Sequence, residues 1–261
     1  FFILGGGSNL LVDDKGFDGL VVKVQNAKCK VQNKNSKFKI IIVEAGVILS
    51  DLVELSLKNN LTGLEWAAGI PGATLGGTIH NNAGAFKVCI ADIVKTVEVF
   101  DTADSKIKNL DAEQCNFNYK QTIFKQQKNL IILSCILQLK KSTKKAVEEQ
   151  INYVLNYREK NHPMKFPSAG CIFENFTPHR NKVSGAGPTQ VSVAELIQKC
   201  GLKGKKIGDA QISEKHANFI INLGKARSED VLKLINLSKK EVKNKFGIKL
   251  KEEIQILNSG Y

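Results

Sequence analysis

Apolar and polar residues follow two different rhythms along this chain. In the first half, Val21 to Val24, Lys39 to Val43, Val94 to Phe100 and Asn129 to Leu139 are β-branched or alternating runs that predict strands. Between them, Leu52, Val53, Leu55 and Leu57, with Glu54 three residues after Asp51, predict a short capped helix over Asp51 to Lys58. Asn33 to Lys37 reads as a polar hairpin or loop. From Ser142 the chain becomes polar and lysine-rich, and Val147, Ile151, Val154 and Leu155 make a helical stripe.

A boundary falls at Glu159 to Pro167, where Pro163 and Pro167 flank a basic stretch. Beyond it, Ser192 and Glu195 form a capping box ahead of Leu196 and Ile197, and Gly201 ends that helix. Phe219 to Leu223 is strand-like. Ser228 to Phe246 carries apolar residues at 231, 232, 234, 235 and 242, and Gly247 closes it. Ile248 to Leu257 alternates, with Ile248, Leu250, Ile254 and Ile256 on one face and Lys249, Lys251, Glu253 and Gln255 on the other. The pattern is α+β in two domains, residues 1 to 158 and 159 to 261.

Composition adds exclusions. A hydrophobic fraction of 43% and a charged fraction of 24% are ordinary for a globular chain. No apolar run approaches the roughly 20 residues of a membrane span, and no signal peptide opens the sequence, so the expected location is cytoplasmic. The single methionine is Met164, and the chain opens inside a strand-like run, Phe1 to Leu4. A further N-terminal segment is therefore expected ahead of Phe1. The net charge of +13 invites a nucleic-acid reading. Arginine, however, occurs only at 158, 180 and 227, and the lysines are scattered, which fits solvated faces and a field that recruits anionic nucleotides. Neither a nucleic-acid nor a membrane partner is expected. Cys29, Cys89, Cys115, Cys135, Cys171 and Cys200 show no metal-binding spacing and read as free thiols. All but Cys171 read as small core residues.

Two glycine clusters carry the chemistry. The run Gly5-Gly6-Gly7-Ser8-Asn9 follows a strand, and glycines there permit positive φ and close backbone approach around an anion. Its spacing is not that of a Rossmann loop. The second cluster, Gly69-Ile70-Pro71-Gly72 with Gly76-Gly77, lets backbone and a helix N-terminus lie against a diphosphate. Taken singly, the first is more often a turn and the second a tightly packed helix start; two in one domain, with Gly63 to Trp66 just upstream, favour a diphosphate cradle.

The motifs resemble those of the UDP-N-acetylenolpyruvoylglucosamine reductase (MurB) family over essentially the whole chain. They are Ile3 to Val12 with Asp14, Gly16 and Gly19-Leu20; Gly63-Leu64-Glu65 with Gly69 to Gly72; and Asn82-x-Gly84-Ala85-Phe86. The resemblance implies a two-lobed, non-Rossmann FAD-binding domain like that of the vanillyl-alcohol-oxidase-like flavoproteins, then a smaller α+β substrate-binding domain whose last strand returns to the flavin side. It implies non-covalent FAD, held by Gly5, Gly6, Gly7, Ser8, Asn9, Gly69, Ile70, Pro71, Gly72, Gly76 and Gly77. One departure is an extra residue before Gly76-Gly77. It further implies NADPH as hydride donor, a UDP-sugar enolpyruvyl ether as substrate, and a monomer. The short stretch from Leu139 to Tyr157 is similar to the subgroup lacking a tyrosine loop over the substrate.

Reduction of an enolpyruvyl double bond needs a cation and an acid near the carboxylate, and one placed proton donor. The family's donor motif corresponds to Gly170-Cys171-Ile172-Phe173-Glu174-Asn175-Phe176, with Cys171 in place of serine. An ordinary thiol, near 8.5, is more acidic than an alcohol and can donate at neutral pH. The family's arginine position is Lys120, within Phe117 to Phe124, which keeps the charge but loses the bidentate fork. Glu253 matches the family's C-terminal glutamate, although Lys251-Glu252 replaces the preceding Glu-Pro. Arg158 and Asn175 are implied substrate contacts, and Ser213-x-x-His216-Ala217-Asn218-Phe219 matches the substrate-domain signature, with His216 an orienting or packing residue. Lys120, Cys171, Glu174 and Phe176 all depart from the pattern. An oxidase of the same flavin fold, or a weakened homologue that binds flavin or nucleotide without efficient turnover, therefore stays open.

Overall fold

The computed structural model describes residues 1–25, 27–32, 37–176 and 191–258. The polar loop expected at 33 to 37 lies, except for Lys37, outside them. By its internal contacts the chain divides into two compact units, Phe1–Gly7 with Leu20–Arg158, and Ser8–Gly19 with Glu159–Tyr261. Sequence reading runs the first domain unbroken to residue 158; here Ser8–Gly19 joins the second unit instead.

The first unit is organised by an antiparallel sheet in the order Lys106–Asp111, Val94–Asp101, Leu130–Lys141, Phe38–Glu44, Cys29–Gln32, with Leu61–Thr62 beside the end of Leu130–Lys141. Alternation sets the buried face: Cys135 lies opposite Val43 and Val97, and all three are fully enclosed. A register shift between Ile132 and Ser134 lets the long strand change phase while its neighbours stay paired. Against that sheet face pack Leu49, Leu52 and Val53 of the helix Leu49–Lys58, together with Val147, Ile151 and Val154 of the helix Lys144–Asn161. Leu155, expected on that stripe, is exposed. The first helix also starts earlier than its sequence suggests. Ile48 is its extended cap residue with no side-chain cap bond, and Asp51 sits in the first turn, where a carboxylate favours the helix dipole.

The second unit holds a four-stranded antiparallel sheet, Ser168–Cys171, Phe219–Asn222, Ala210–Ile212 and Lys206–Ile207. The helices Val193–Lys199 and Ser228–Phe246 bury Leu196, Ile197, Leu234, Ile235 and Val242 against Ile212, Ile220 and Phe173. Ser192 caps the shorter helix by accepting from the Glu195 amide, a bond of about 1 kcal/mol. Gly247, at φ 70°, closes the longer one. The predicted strand Ile248 to Leu257 is mostly not regular. Only Gln255–Leu257 is a strand, parallel to Leu10–Val12, because the chain before it is held by single bonds to the Cys171 segment.

Among the described residues, no helix is long and apolar enough to cross a membrane. The six cysteines are free, but only Cys115 and Cys135 are buried; Cys29 is exposed and Cys89, Cys171 and Cys200 are half-buried. Their reading as five core residues fails where short edge strands and helix ends leave one side open.

Candidate active site

In the first unit the two glycine clusters meet backbone to backbone. A Cβ on Gly6 would lie 1.4 Å from the Gly72 carbonyl oxygen, and one on Gly5 would lie 2.8 Å from Thr74 Oγ1. Gly7 and Gly72 have φ of 74° and 63°, and a Cβ on Gly7 would meet nothing within 4 Å. Two loops of bare backbone, one opening onto free space, fit the close approach a diphosphate requires. Two buried polar atoms near the second loop, Glu65 Oε1 and Trp66 Nε1, have no hydrogen-bond partner among the described residues. Polar atoms left so in a buried region fit a polar group bound there.

The helix N-terminus is not the cradle that its sequence suggests. In the helix Leu75–His80, the Leu75 and Gly76 amides donate to the Val47 and Ala45 carbonyls, and the Gly77 amide donates to Thr74 Oγ1. Those donors are occupied, so Gly76 and Gly77 serve packing: a Cβ on Gly76 would be 2.9 Å from that of Ala45. Arg158, buried, donates from Nη2 to the Trp66 carbonyl at 2.9 Å and lies against Gly69. It braces the second loop from behind.

Lys120 occupies a two-residue turn. Asn118 and Gln121 exchange both backbone bonds, 3.0 and 3.1 Å, and Lys120 itself has φ 54°. A lysine in that left-handed region costs roughly 1–2 kcal/mol that glycine would not. The turn is fixed to the end of the helix Leu75–His80. Thr122 Oγ1 donates to the His80 carbonyl at 2.7 Å and Asn82 Nδ2 to the Asn118 carbonyl at 2.9 Å.

In the second unit three distant segments converge. The strand Ser168–Cys171 carries an irregularity before Cys171, and Gly170, at φ 80°, comes near the Ser8 carbonyl, 3.7 Å from its would-be Cβ. Ile172 and Phe173 turn inward and are buried, which leaves Cys171 half-buried beside them. The Glu253 amide donates to the Ile172 carbonyl at 2.8 Å. Asn9 clamps the same stretch: its Nδ2 donates to the Glu253 carbonyl at 3.1 Å, and its own carbonyl accepts from the Gln255 amide at 2.9 Å. The segment after Cys171 and the segment of Glu253 are thus paired backbone to backbone, Phe173 opposite Glu252, with Asn9 bonded to Glu253. Asn175 takes a local part, its Oδ1 accepting from the Val193 amide at the start of a helix.

Residues 1–111 match the family model of an FAD binding domain, and residues 162–257 that of the UDP-N-acetylenolpyruvoylglucosamine reductase C-terminal domain. The UDP-N-acetylenolpyruvoylglucosamine reductase of Pseudothermotoga lettingae is 40% identical over 254 residues, 97% of this chain and 82% of that protein. That of Caldanaerobacter subterraneus subsp. tengcongensis is 40% identical over 257 residues, 98% and 79% of the two chains. The crystal structure of the reductase (MurB) from Thermus caldophilus matches with a TM-score of 0.76 and 31% identity, covering 98% of this chain and 85% of that one. The chain belongs to the UDP-N-acetylenolpyruvoylglucosamine reductase family.

As a member of the UDP-N-acetylenolpyruvoylglucosamine reductases it is an FAD-dependent oxidoreductase, with a non-Rossmann FAD-binding domain followed by a smaller α+β domain. Two residues that depart from the reductase pattern meet: Lys251 Nζ reaches Glu174 Oε1 at 2.7 Å, beside the bond from the Glu174 amide to the Lys251 carbonyl at 2.9 Å.

Sequence reading misses the residues that hold this reductase site in shape. Asn218, buried, accepts from the Phe173 amide at 3.0 Å and donates to the Phe173 carbonyl at 2.8 Å, while its own carbonyl takes the Ile172 amide. Its place in the Ser213-to-Phe219 signature was the only available signal. His216 is a packing residue, its ring centroid 4.9 Å from Phe219 and 5.4 Å from His162. Burial, then the Lys203 charge, lowers its basicity.

His80 gives a pH prediction. Burial, and next the Lys125 ammonium, hold its imidazole down to about 4, partly offset by a bond with Asn81. The unfolded chain takes up the proton near 6.5, well before the folded one does. Stability is therefore full above about 6.5 and is lost as pH falls toward about 4, by up to about 3 kcal/mol. Urea midpoints at pH 7.5 and 5 should fall less on acidification in His80→Gln than in the parent; equal falls would remove His80 as the cause.

Proposed function

We propose that this chain reduces the enolpyruvyl ether of UDP-N-acetylglucosamine to UDP-N-acetylmuramate, a step in making peptidoglycan precursors, with NADPH as the source of hydride. The observation that supports it best is the bond from the Glu253 amide to the Ile172 carbonyl, one residue from Cys171, with Asn9 holding the Glu253 carbonyl. A thiol and a carboxyl group carried on two segments bonded to each other fit protonation beside a carboxylate.

The bound flavin supplies hydride transfer, from the reduced nicotinamide to the substrate double bond. The protein residues supply binding and the proton. Gly5, Gly6, Gly7 and Gly69 to Gly72 approach the diphosphate of FAD as bare backbone, with Ser8 and Asn9 continuing the first loop. Gly76 and Gly77 hold the second loop close through packing. Lys120 places a positive charge for the substrate carboxylate, lowering the energy of the charge that develops as hydride arrives. Cys171 Sγ then delivers its proton to the adjacent carbon and is left as thiolate until solvent reprotonates it. Glu253 stands by the same carbon as the second acid. Asn175 offers its amide donor to a sugar or phosphate oxygen, and Arg158 acts on substrate binding through the second loop that it braces. We place the enzyme in the cytoplasm as a monomer, where both nucleotide substrates are made.

The test is NADPH oxidation by the FAD-loaded protein. We expect oxidation that depends on UDP-N-acetylglucosamine enolpyruvate, one NADPH per UDP-N-acetylmuramate formed. Oxygen uptake in place of that dependence would make it an oxidase, and yellow protein without turnover in either assay would make it a binding homologue.

A further inference from the structure

The turn that carries Lys120 is stabilised by a residue to which neither the motifs nor the reaction assigns a part. Lys125 reaches back across the short helix Ile123–Gln126 and its Nζ donates to the Lys120 carbonyl at 2.9 Å. The bond falls on the one residue of the turn whose backbone is left-handed, φ 54°. Turns of this form take glycine or asparagine at their third position, and a long side chain there is retained against its local preference. The surroundings fix everything else. Thr122, fully buried, is tied to the His80 carbonyl, and Asn82, itself left-handed at φ 42°, is tied to the Asn118 carbonyl. An anchored turn whose strained member is held by a cation is built to point one side chain.

We propose that Lys125 is a positioning residue for Lys120. By charge-assisted donation to the Lys120 carbonyl it holds the turn in its left-handed form and so fixes the direction in which Lys120 presents its ammonium. This rests on the reading of Lys120 as the group that faces the substrate carboxylate. Lys125 touches no reacting atom; it acts through Lys120 alone, and small misplacements of a charge at a reacting centre are costly in rate.

A double-mutant cycle on the FAD-loaded full chain tests this, using Lys125→Met, Lys125→Arg, Lys120→Met and the double variant. Lys125→Met should lower kcat about tenfold, with the rate of flavin reduction by NADPH unchanged in single turnover. Lys125→Arg, which keeps a charged donor, should recover most of the loss. In the Lys120→Met background Lys125→Met should add less than about twofold, because the residue it acts through is gone. Multiplying effects in the double variant, or slowed flavin reduction in Lys125→Met, would give Lys125 an independent or general structural role and overturn the proposal. Full turnover by Lys125→Met while Lys120→Met is impaired would overturn it alone. Full turnover by Lys120→Met would instead remove the role of Lys120, and the proposal with it. If Lys125→Met does not fold, Lys125→Gln against Lys125→Arg gives the same comparison.

Discussion

Cys171→Ala should reduce substrate turnover by about 10²–10⁴-fold while NADPH still reduces the flavin at the parent rate. The two half-reactions are expected to separate because Cys171 lies in the second unit, next to Ile172 whose carbonyl accepts from Glu253, while the glycine loops proposed for the flavin lie mostly in the first. The alanine leaves the backbone frame intact. The Ile172 carbonyl still accepts from Glu253, Asn218 still clamps Phe173, and the half-buried side chain contributes little to the core. Cys171→Ser, which restores the residue the family pattern has here, should keep kcat within about tenfold of the parent, since an alcohol in the same place can still deliver a proton. Steady-state NADPH oxidation with and without substrate, paired with stopped-flow flavin reduction, reads both steps. Unimpaired turnover by Cys171→Ala would remove the thiol from the reaction.

The second large effect lies at Gly6. A methyl group there would sit 1.4 Å from the Gly72 carbonyl oxygen, a bonding distance that no side-chain rotation relieves. The two loops must move apart, at a cost of about 1–3 kcal/mol or more in stability, and with them would go the surface proposed for the diphosphate. Gly6→Ala is expected to purify with little or no flavin and to melt several degrees lower. Gly7→Ala is the control for stability alone, since its methyl would enter the open space where the diphosphate is proposed to approach. Its φ of 74° is unfavourable for alanine, but nothing lies within 4 Å of the new methyl. It should therefore cost only about 1–2 kcal/mol of backbone strain. The flavin-to-protein absorbance ratio and the melting temperature of the two variants give the comparison. A full flavin complement and parental melting temperature in Gly6→Ala would show that the loops do not need their contact.

The glycine loops, the later helices and the central strands were legible in the sequence because each is a local property. Val147, Ile151 and Val154 recur at the helical period and do pack on the sheet; Ser192 caps its helix as its spacing to Glu195 suggests; Gly247 ends the last helix in the left-handed form. The errors share one cause. Leu155 fits the helical stripe but faces outward, and Ile248 to Leu257 alternates like a strand without being one through most of its length. Periodicity states which residues share a face, and neighbours decide whether that face is covered.

By itself the sequence determined the two glycine clusters, the order of most of the elements, and which residues are candidates for the chemistry, since residue type and short spacing are enough for these. Only the tertiary structure decided how they combine. It joined Asn9 to Glu253, residues 244 positions apart, and bonded the Glu253 amide to the Ile172 carbonyl. It turned the unexpected Glu174 and Lys251 into one ion pair. It occupied the amides of the helix that follows the second glycine loop, and laid Lys125 on the carbonyl of Lys120. Hydrogen bonds between remote segments depend on where the sheets bring the backbone, and no local pattern of apolar and polar residues encodes that.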